Sequence, residues 1–571
     1  MILKIERIRD SPSAAYGRNQ TMDSFSSSYH CDCLDFISHE HGRERMQEFT
    51  AKYANKIQGV LSGFDRLIFR GSLRKIAYDF GMKSYLWAND VLLKDFGSHA
   101  NEISDRVKKA SLRCIQEAGR RVQYLQSSKD DKEEIARSIA GQDHITEGPV
   151  CALTCVEPCL GFDIHRNRET KRLELVQRPR KCLYVYQYWE HPLLGWLHAR
   201  IQTWFPFSIQ IGMNGREWLA RQMDSAGIDN HRQDNCFPWV SDWDWAQRLM
   251  NQQLKAAWPE LLDQIAGGLN PIHDEIFRRF PMNYYWTTYQ SEWATDVVFR
   301  TAEDLRRLYP LLVHHAMTTF SSPDVLRFLG KRFTAGGHIN GHVKAEVTSD
   351  LKRRQEGVRI KHRYSDNSVK LYDKAYTPEG SVLRAELTMQ RPEEFQVYRR
   401  IEGSPKGPMM WLPMRRGIAD LHRRAEVSQQ VNDRYLDALA STDDSTRLKE
   451  LLGPLERPVI GTGKRSRALH PFDDHDRLLL EAISRGEFMI NGLRNKDLQR
   501  LLYTTHAQSI QESRRRSAAI SRKLRLLRDH GLIQKIQKSY RYKVTKKGRP
   551  ILTAVIAASN ATVNMLIPNA A

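Results

Sequence analysis

Between positions 181 and 189 the chain reads Lys-Cys-Leu-Tyr-Val-Tyr-Gln-Tyr-Trp, and a period of two runs through it. Cys182, Tyr184, Tyr186 and Tyr188 fall on one face, with Leu183 and Val185 on the other. A helix would scatter the rings around its circumference, so the stretch is read as a strand needing neighbours. Segments 197–205 and 207–212 supply them, before Asn214-Gly215 turns into a helix from Glu217. Arg-flanked aromatic strands also occur in binders of single-stranded nucleic acid, where bases stack on exposed rings. The plainer reading is a sheet packed on helices. Three more strands are expected at 357–362, 367–374 and 381–388.

Length and pattern divide the chain. At ~100–200 residues per domain, 571 residues imply three or four domains. Residues 1–45, rich in Ser, Arg and His, read as a disordered or mispredicted extension, with Met22 and Met46 as candidate starts. Residues 46–147 read as mainly helical, through Phe49, Tyr53, Ile57 and Val60 into a short strand at 63–71. Residues 148–335 read as a β-meander followed by a predominantly helical stretch from 217. A second strand group is expected at 336–400, a helical linker at 401–465 and a separate domain at 466–571. No internal repeat is visible. The fold class expected is α+β multidomain, a mixed helical and antiparallel-sheet central region followed by a winged helix-turn-helix.

No segment reaches the ~18 apolar residues of a membrane span and no signal-peptide core opens the chain, so the expectation is a cytoplasmic protein with no membrane partner. Eight cysteines are too few for a disulfide scaffold. Cys151, Cys155 and Cys159 recur every four residues, but Pro158 and the flanking residues argue for a strand, and buried apolar thiols are the simpler reading. His338 and His342 sit among glycines, which favours a loop over a zinc-binding helix.

The C-terminal segment combines pattern with charge. From 471 onward the expected order is three helices, a hairpin and a final helix, the third helix stopping at Gly531. The whole chain carries a net charge of +21, and residues 491–550 hold most of that excess. On the third helix Ile520, Leu524 and Leu527 share an inward face, leaving Arg515, Arg522, Lys523 and Arg525 for a major groove. Lys535, Lys538, Arg541 and Lys543 on the hairpin suit phosphate or minor-groove contacts. The segments 523–533 and 540–548 resemble MarR-like winged-helix families, which implies binding of double-stranded DNA. RNA and a second copy of the chain are further candidate partners.

The central strands carry the second candidate. Lys361, Tyr372, Asp373, Lys374, Arg384 and Glu386 are an unusually polar set for consecutive strands; alternation puts Lys370 with Tyr372 and Arg384 with Glu386. Tyr-Asp-Lys followed by Leu-Arg-Ala-Glu resembles a strand pair of rolling-circle replication initiators. That likeness implies Tyr372 as nucleophile with Lys361 and Lys374 beside it, and Glu386 and Asp373 as ligands of Mg²⁺ or Mn²⁺. The His-hydrophobic-His motif of those enzymes is absent; His39-Glu-His41 is its nearest form. Cross-strand ion pairs on a solvated sheet are the alternative. Glu292 and Asp296 read as an i,i+4 pair on a helix, and Asp65 with Arg66, Arg70 and Arg74 as a phosphate contact.

Across 46–560 the order of segments is also similar to that of an uncharacterised bacterial family ending in a winged helix; Gly63-Phe-Asp-Arg, Trp204-Phe-Pro-Phe207 and Asn214-Gly-Arg-Glu-Trp218 carry that likeness, which implies no activity. Two functions therefore stand open, with an RNA-binding protein as a further alternative. One is a DNA-binding protein of a bacterial mobile or replicating element whose central region nicks DNA. The other is a winged-helix regulator whose large region senses a ligand or oligomerises.

Overall fold

The computed structural model describes residues 47–331, 347–354, 357–374, 381–401, 403–404, 407–440, 448–460, 465–484, 488, 492–503, 505, 507–536, 539–545 and 547–560. The extension 1–45, with His39 and His41, and also Met46, His338, His342 and Lys538, lie outside these residues.

The architecture is mixed α+β, organised by one sheet. Its strands, with a separate hairpin of β7 and β8, are β1 (Ile57–Ser72), β2 (Arg121–Leu125), β3 (Gly148–Arg166), β4 (Leu173–His191), β5 (Gly195–Gln202), β6 (Ile209–Asn214), β7 (Asn230–Gln233), β8 (Cys236–Val240), β9 (Tyr285–Phe299), β10 (Val347–Arg354), β11 (Gly357–Tyr364), β12 (Asn367–Lys374) and β13 (Ser381–Met389). Among the described residues the sheet has eleven strands in the order β10-β11-β12-β13-β9-β1-β6-β5-β4-β3-β2. Neighbours are antiparallel except the parallel pair of β2 and β3. Segments expected to form separate domains at 46–147, 148–335 and 336–400 thus contribute strands to one sheet.

The long central strands β1 and β9 pair along most of their length. On each side a meander returns to its own central strand: β3-β4-β5-β6 comes back beside β1, and β10-β11-β12-β13 beside β9. The repeat invisible in the residues is present in the topology.

Helices α1 (Phe96–Glu117), α2 (Lys132–Gln142), α3 (Gly215–Ala226), α4 (Trp243–Asn251), α5 (Ala302–Thr318) and α6 (Leu421–Leu439) complete the region. One sheet face is covered by α1, α5 and α6. Gln187 donates to the Ser111 carbonyl of α1 at 2.6 Å, and Asn432 of α6 donates to the Trp293 and Ala385 carbonyls, both at 3.1 Å. Strand alternation gives that face Leu383, Ala385 and Leu387, which pack with Leu305, Leu312, Tyr435 and Leu436 in one core. The opposite face, partly covered by α2, α3 and α4, carries the functional candidates.

Three expectations are corrected. Residues 285–299, read as helical with Glu292 and Asp296 on one helix face, form a central strand. Central strands are covered on both sides, so their apolar residues run together and the period-two signal fades. The same holds for 57–72, where the expected helix through Ile57 and Val60 ends at Lys52. The helical linker expected at 401–465 does hold a helix, α6, but its Val431, Tyr435, Leu436 and Leu439 are fully buried, so it belongs to a core rather than to a linker.

Beyond residue 466 come α7 (Asp474–Ser484), α8 (Asn495–Leu502) and α9 (Ile510–Asp529), a hairpin of Ile533–Lys535 and Tyr542–Val544, and α10 (Gly548–Asn560). They share a core of their own, in which Leu480, Leu498, Ile520, Leu524, Leu527 and Val555 are buried. Arg515, Arg522, Arg525, Lys535 and Lys543 are exposed, while Lys523 and Arg541 are half-buried. Arg541 donates to the Gly492 carbonyl at 3.4 Å.

Candidate functional site

The site forms where the two meanders meet the central strands. A β-bulge between Phe64 and Arg66 sets Asp65 outside the regular pairing of β1, and such an extra residue re-aims a side chain. Asn214 ends β6 and caps α3, accepting from the Arg216 and Glu217 amides at 2.8 and 3.3 Å. Gly215 lies between them because a Cβ there would stand 1.9 Å from the Phe64 carbonyl oxygen. This close approach carries Arg216 into the interior, where it is fully buried.

Two aspartates and two arginines interlock at that point. Arg384 grips Asp296 with two bonds, Nε to Oδ1 at 2.6 Å and Nη2 to Oδ2 at 2.9 Å, and donates through Nη1 to Asp65 Oδ1 at 3.1 Å. Arg216 Nη2 lies 3.0 Å from Asp296 Oδ2, and its Nε 4.0 Å from Asp65 Oδ1. Asn235, just before β8, donates to Asp65 and accepts from Lys374 Nζ at 2.5 Å. Burial alone would raise the Asp296 carboxyl, but Arg384 and Arg216 outweigh it and hold it below the usual carboxylate range. Lys374 is pushed down by burial and by the neighbouring Arg384 charge.

A second group adjoins the first. Lys370 Nζ lies 2.5 Å from Glu386 Oε1 and 3.4 Å from Glu292 Oε1. One carboxylate oxygen each from Asp65, Glu292 and Glu386 come together within 4.8 Å of one another, from β1, β9 and β13. Oxygens on opposite sides of a Mg²⁺ ion lie about 4.2 Å apart, so small side-chain rotations would bring these three onto one ion. All three donors are hard oxygens, the set that suits Mg²⁺ or Mn²⁺. Oε2 of Glu292 and of Glu386 accepts no hydrogen bond among the described residues, which leaves a lone pair on each for a cation.

Tyr372 stands directly across from Arg384 on one side and Arg359 on the other. It is 8% exposed, and burial, followed by the Glu386 charge, pushes its phenol up to about 12. It lines a cleft of ≈ 1080 Å³ together with Asp65, Glu292, Lys374, Arg384 and Glu386. His198 and Trp196 of β5 and several residues of α2 continue the lining. Burial first, then Arg66 and Arg200, press His198 down to about 4, so it is a neutral imidazole at physiological pH. Eight carboxylates line the cleft against five Lys or Arg side chains, an acidic hollow in a strongly basic chain.

The structure therefore gathers Tyr372, Lys374 and Glu386. Lys361 is on the same face one strand further out, paired across from Lys370. Asp373, expected as a metal ligand, is corrected: alternation turns it to the helix-covered face, where its charge acts on Tyr309 of α5. Asp65 and Glu292, each considered separately in the sequence, join Glu386 instead. Arg216 and Asn235 were not anticipated, and the only hint was the Asn-Gly turn at 214–215. The three cysteines 151, 155 and 159 lie buried along β3, as expected for apolar thiols.

No known protein family matches the chain, and no curated protein and no solved structure matches it. No helix among the described residues is long and apolar enough to cross a membrane.

Proposed function

We propose that this chain is a DNA-binding protein that cuts one DNA strand at the cleft, using Tyr372 as nucleophile and a divalent cation held by Asp65, Glu292 and Glu386. The observation that carries this reading is the meeting of three carboxylate oxygens beside a buried tyrosine and a ring of cations. An acid-rich hollow repels a phosphodiester on its own, so the charge balance of the lining favours a bound cation as part of the substrate site.

In the reaction the Tyr372 oxygen forms a bond to phosphorus and one P–O bond to a deoxyribose oxygen breaks. The phenol proton passes to water, and the leaving oxygen takes a proton from Lys374. The depressed affinity of Lys374 for its proton suits that donation. Arg384 and Lys370 act as positioning residues that hold the carboxylates. A divalent cation in this place supplies charge stabilisation on the scissile phosphate and lowers the cost of ionising the phenol.

The C-terminal region is the duplex-binding part in this reading, a winged helix of MarR-like type. Its support is the order of three helices, hairpin and helix, with Arg515, Arg522 and Arg525 exposed on α9 and Lys535 and Lys543 on the hairpin. The test of the metal reading is Mn²⁺ titration of the full chain by calorimetry. Binding should appear in the parent and vanish in Glu292→Gln/Glu386→Gln; absence of binding in the parent sinks it. The regulator reading draws support from the same lining, because each carboxylate of the triad already has a Lys, Arg or Asn partner and the cleft volume is of small-ligand size.

A further inference from the structure

The same sheet face continues outward from Tyr372, and its charge changes sign. On β11 the residues facing this side are Arg359, Lys361 and Arg363, three cations in succession. Two cross-strand pairs oppose like charges directly: Lys352 of β10 against Arg359, and Lys361 against Lys370 of β12. Like charges in that position destabilise a sheet. Asp350 stands across from Lys361 and offsets part of this charge, but its ion pair is with Lys352 at 3.3 Å, and Glu386 pairs with Lys370. Among the described residues Arg359, Lys361 and Arg363 make no ion pair.

Two further observations indicate that the strip is built for an anion rather than simply solvated. Arg359 Nε is buried with no hydrogen-bond partner among the described residues, a costly state unless a ligand completes it. Lys361 is half-buried, and burial together with Lys370, Arg359 and Arg363 weakens its hold on its proton. Lys352 and Arg363 are exposed, so the strip runs from open surface at the sheet edge to the recessed tyrosine.

We propose that Lys352, Arg359, Lys361 and Arg363 form a track for single-stranded DNA that leads its phosphodiesters to Tyr372. This rests on the strand-cleavage reading above and names its substrate as unpaired DNA. Tyr372 is nearly buried at the side of a cleft of ≈ 1080 Å³, the scale of a small-ligand pocket. A stiff duplex cannot bend a phosphate into such a recess, whereas a flexible single strand can lie on the basic strip and enter it. Phosphates along the strip relieve the like-charge crowding, so binding and sheet stability are coupled.

The test uses the full chain in EDTA, which separates binding from cleavage, with a fluorescein-labelled oligo(dT) and a mixed-sequence duplex read by anisotropy. Lys361→Glu/Arg363→Glu should weaken oligo(dT) binding about tenfold or more while duplex binding changes by less than about twofold. Lys361→Met alone should melt close to the parent, because relief from Lys370 across one strand offsets the loss of Asp350 across the other; a purely structural lysine would lower the melting temperature. Unchanged oligo(dT) affinity in the double variant, or equal losses for oligo(dT) and duplex, overturns the track. If binding follows the track but neither Mg²⁺ nor Mn²⁺ yields cut DNA, the cleavage reading falls and the track stands. If DNA is cut and binding ignores these residues, the reverse holds.

Discussion

The two meanders beside β1 and β9 have the same strand order and present the same sheet face, yet they fill it with different chemistry. Beside β1, strand β4 offers Tyr184, Tyr186 and Tyr188, all buried, their phenols pushed up chiefly by that burial. Two of the hydroxyls have side-chain partners, Tyr184 donating to Gln202 at 3.3 Å and Tyr186 accepting from Arg200 at 2.9 Å. Beside β9, strand β12 offers Lys370, Tyr372 and Lys374 at the equivalent alternation, with Glu386 across from Lys370 and with Arg384 and Arg359 flanking Tyr372. Alternation decides which side chains share a face. Whether that face is scaffold or site depends on which residue types fill it and on what the neighbouring strands bring alongside.

The comparison breaks most visibly under deletion of one charge. Arg384→Met should cost on the order of 3–5 kcal/mol, because Asp296 and Asp65 are left buried without their main partner. Tyr186→Phe, which only leaves an arginine bond unmade, should cost about 1 kcal/mol. Urea unfolding of both variants measures the gap; equal losses would mean that the charged meander is no more committed than the aromatic one.

Acid should sharpen the contrast next. His362, on the helix-covered face of β11, is fully buried, contacts Ser349 at 2.6 Å and Tyr435 at 3.1 Å, and is pressed by burial down to about 4. Its folded affinity for a proton lies below the unfolded value near 6.5, so the unfolded chain binds more protons between those limits. The stability this neutral histidine confers is therefore complete above about pH 6.5 and is lost as the pH falls toward 4, on the order of 3 kcal/mol. In His362→Gln the dependence of unfolding free energy on pH across that window should flatten; an unchanged slope would contradict the burial argument.

A smaller effect belongs to the aromatic side. A Cβ at Gly212 would lie 2.1 Å from His198 Cε1, so Gly212→Ala must displace the imidazole from the cleft wall. The expected cost is about 1–3 kcal/mol, with the loss confined to the β5–β6 side in hydrogen exchange.

Much of the frame was legible from residues alone. The alternation at 181–189 fixes β4 and its buried face, and the polar strands at 367–374 and 381–388 are β12 and β13. The centre of the sheet was not legible, since β1 and β9 are covered on both sides and lose the period that marks a strand. The site was legible in pieces. Glu386, Glu292 and Asp65 each drew notice for a separate reason, but only strand order and the β1 bulge bring them together. The likeness of Tyr-Asp-Lys to replication initiators implies Asp373 as a ligand, but alternation places it on the other face from Tyr372. Arg216 is marked only by the Asn-Gly turn before it, because its burial follows from the contact of Gly215 with Phe64.

The central claim is strand cleavage by Tyr372 with a divalent cation. Supercoiled plasmid carrying the DNA that flanks the coding sequence, incubated with the full chain and Mg²⁺ or Mn²⁺ beside Tyr372→Phe, tests it directly. The account predicts nicked circles with protein covalently attached, absent in the variant and in EDTA. Intact plasmid that is nonetheless retarded on a gel would contradict it, and the cleft would then count as a ligand pocket within a DNA-binding regulator.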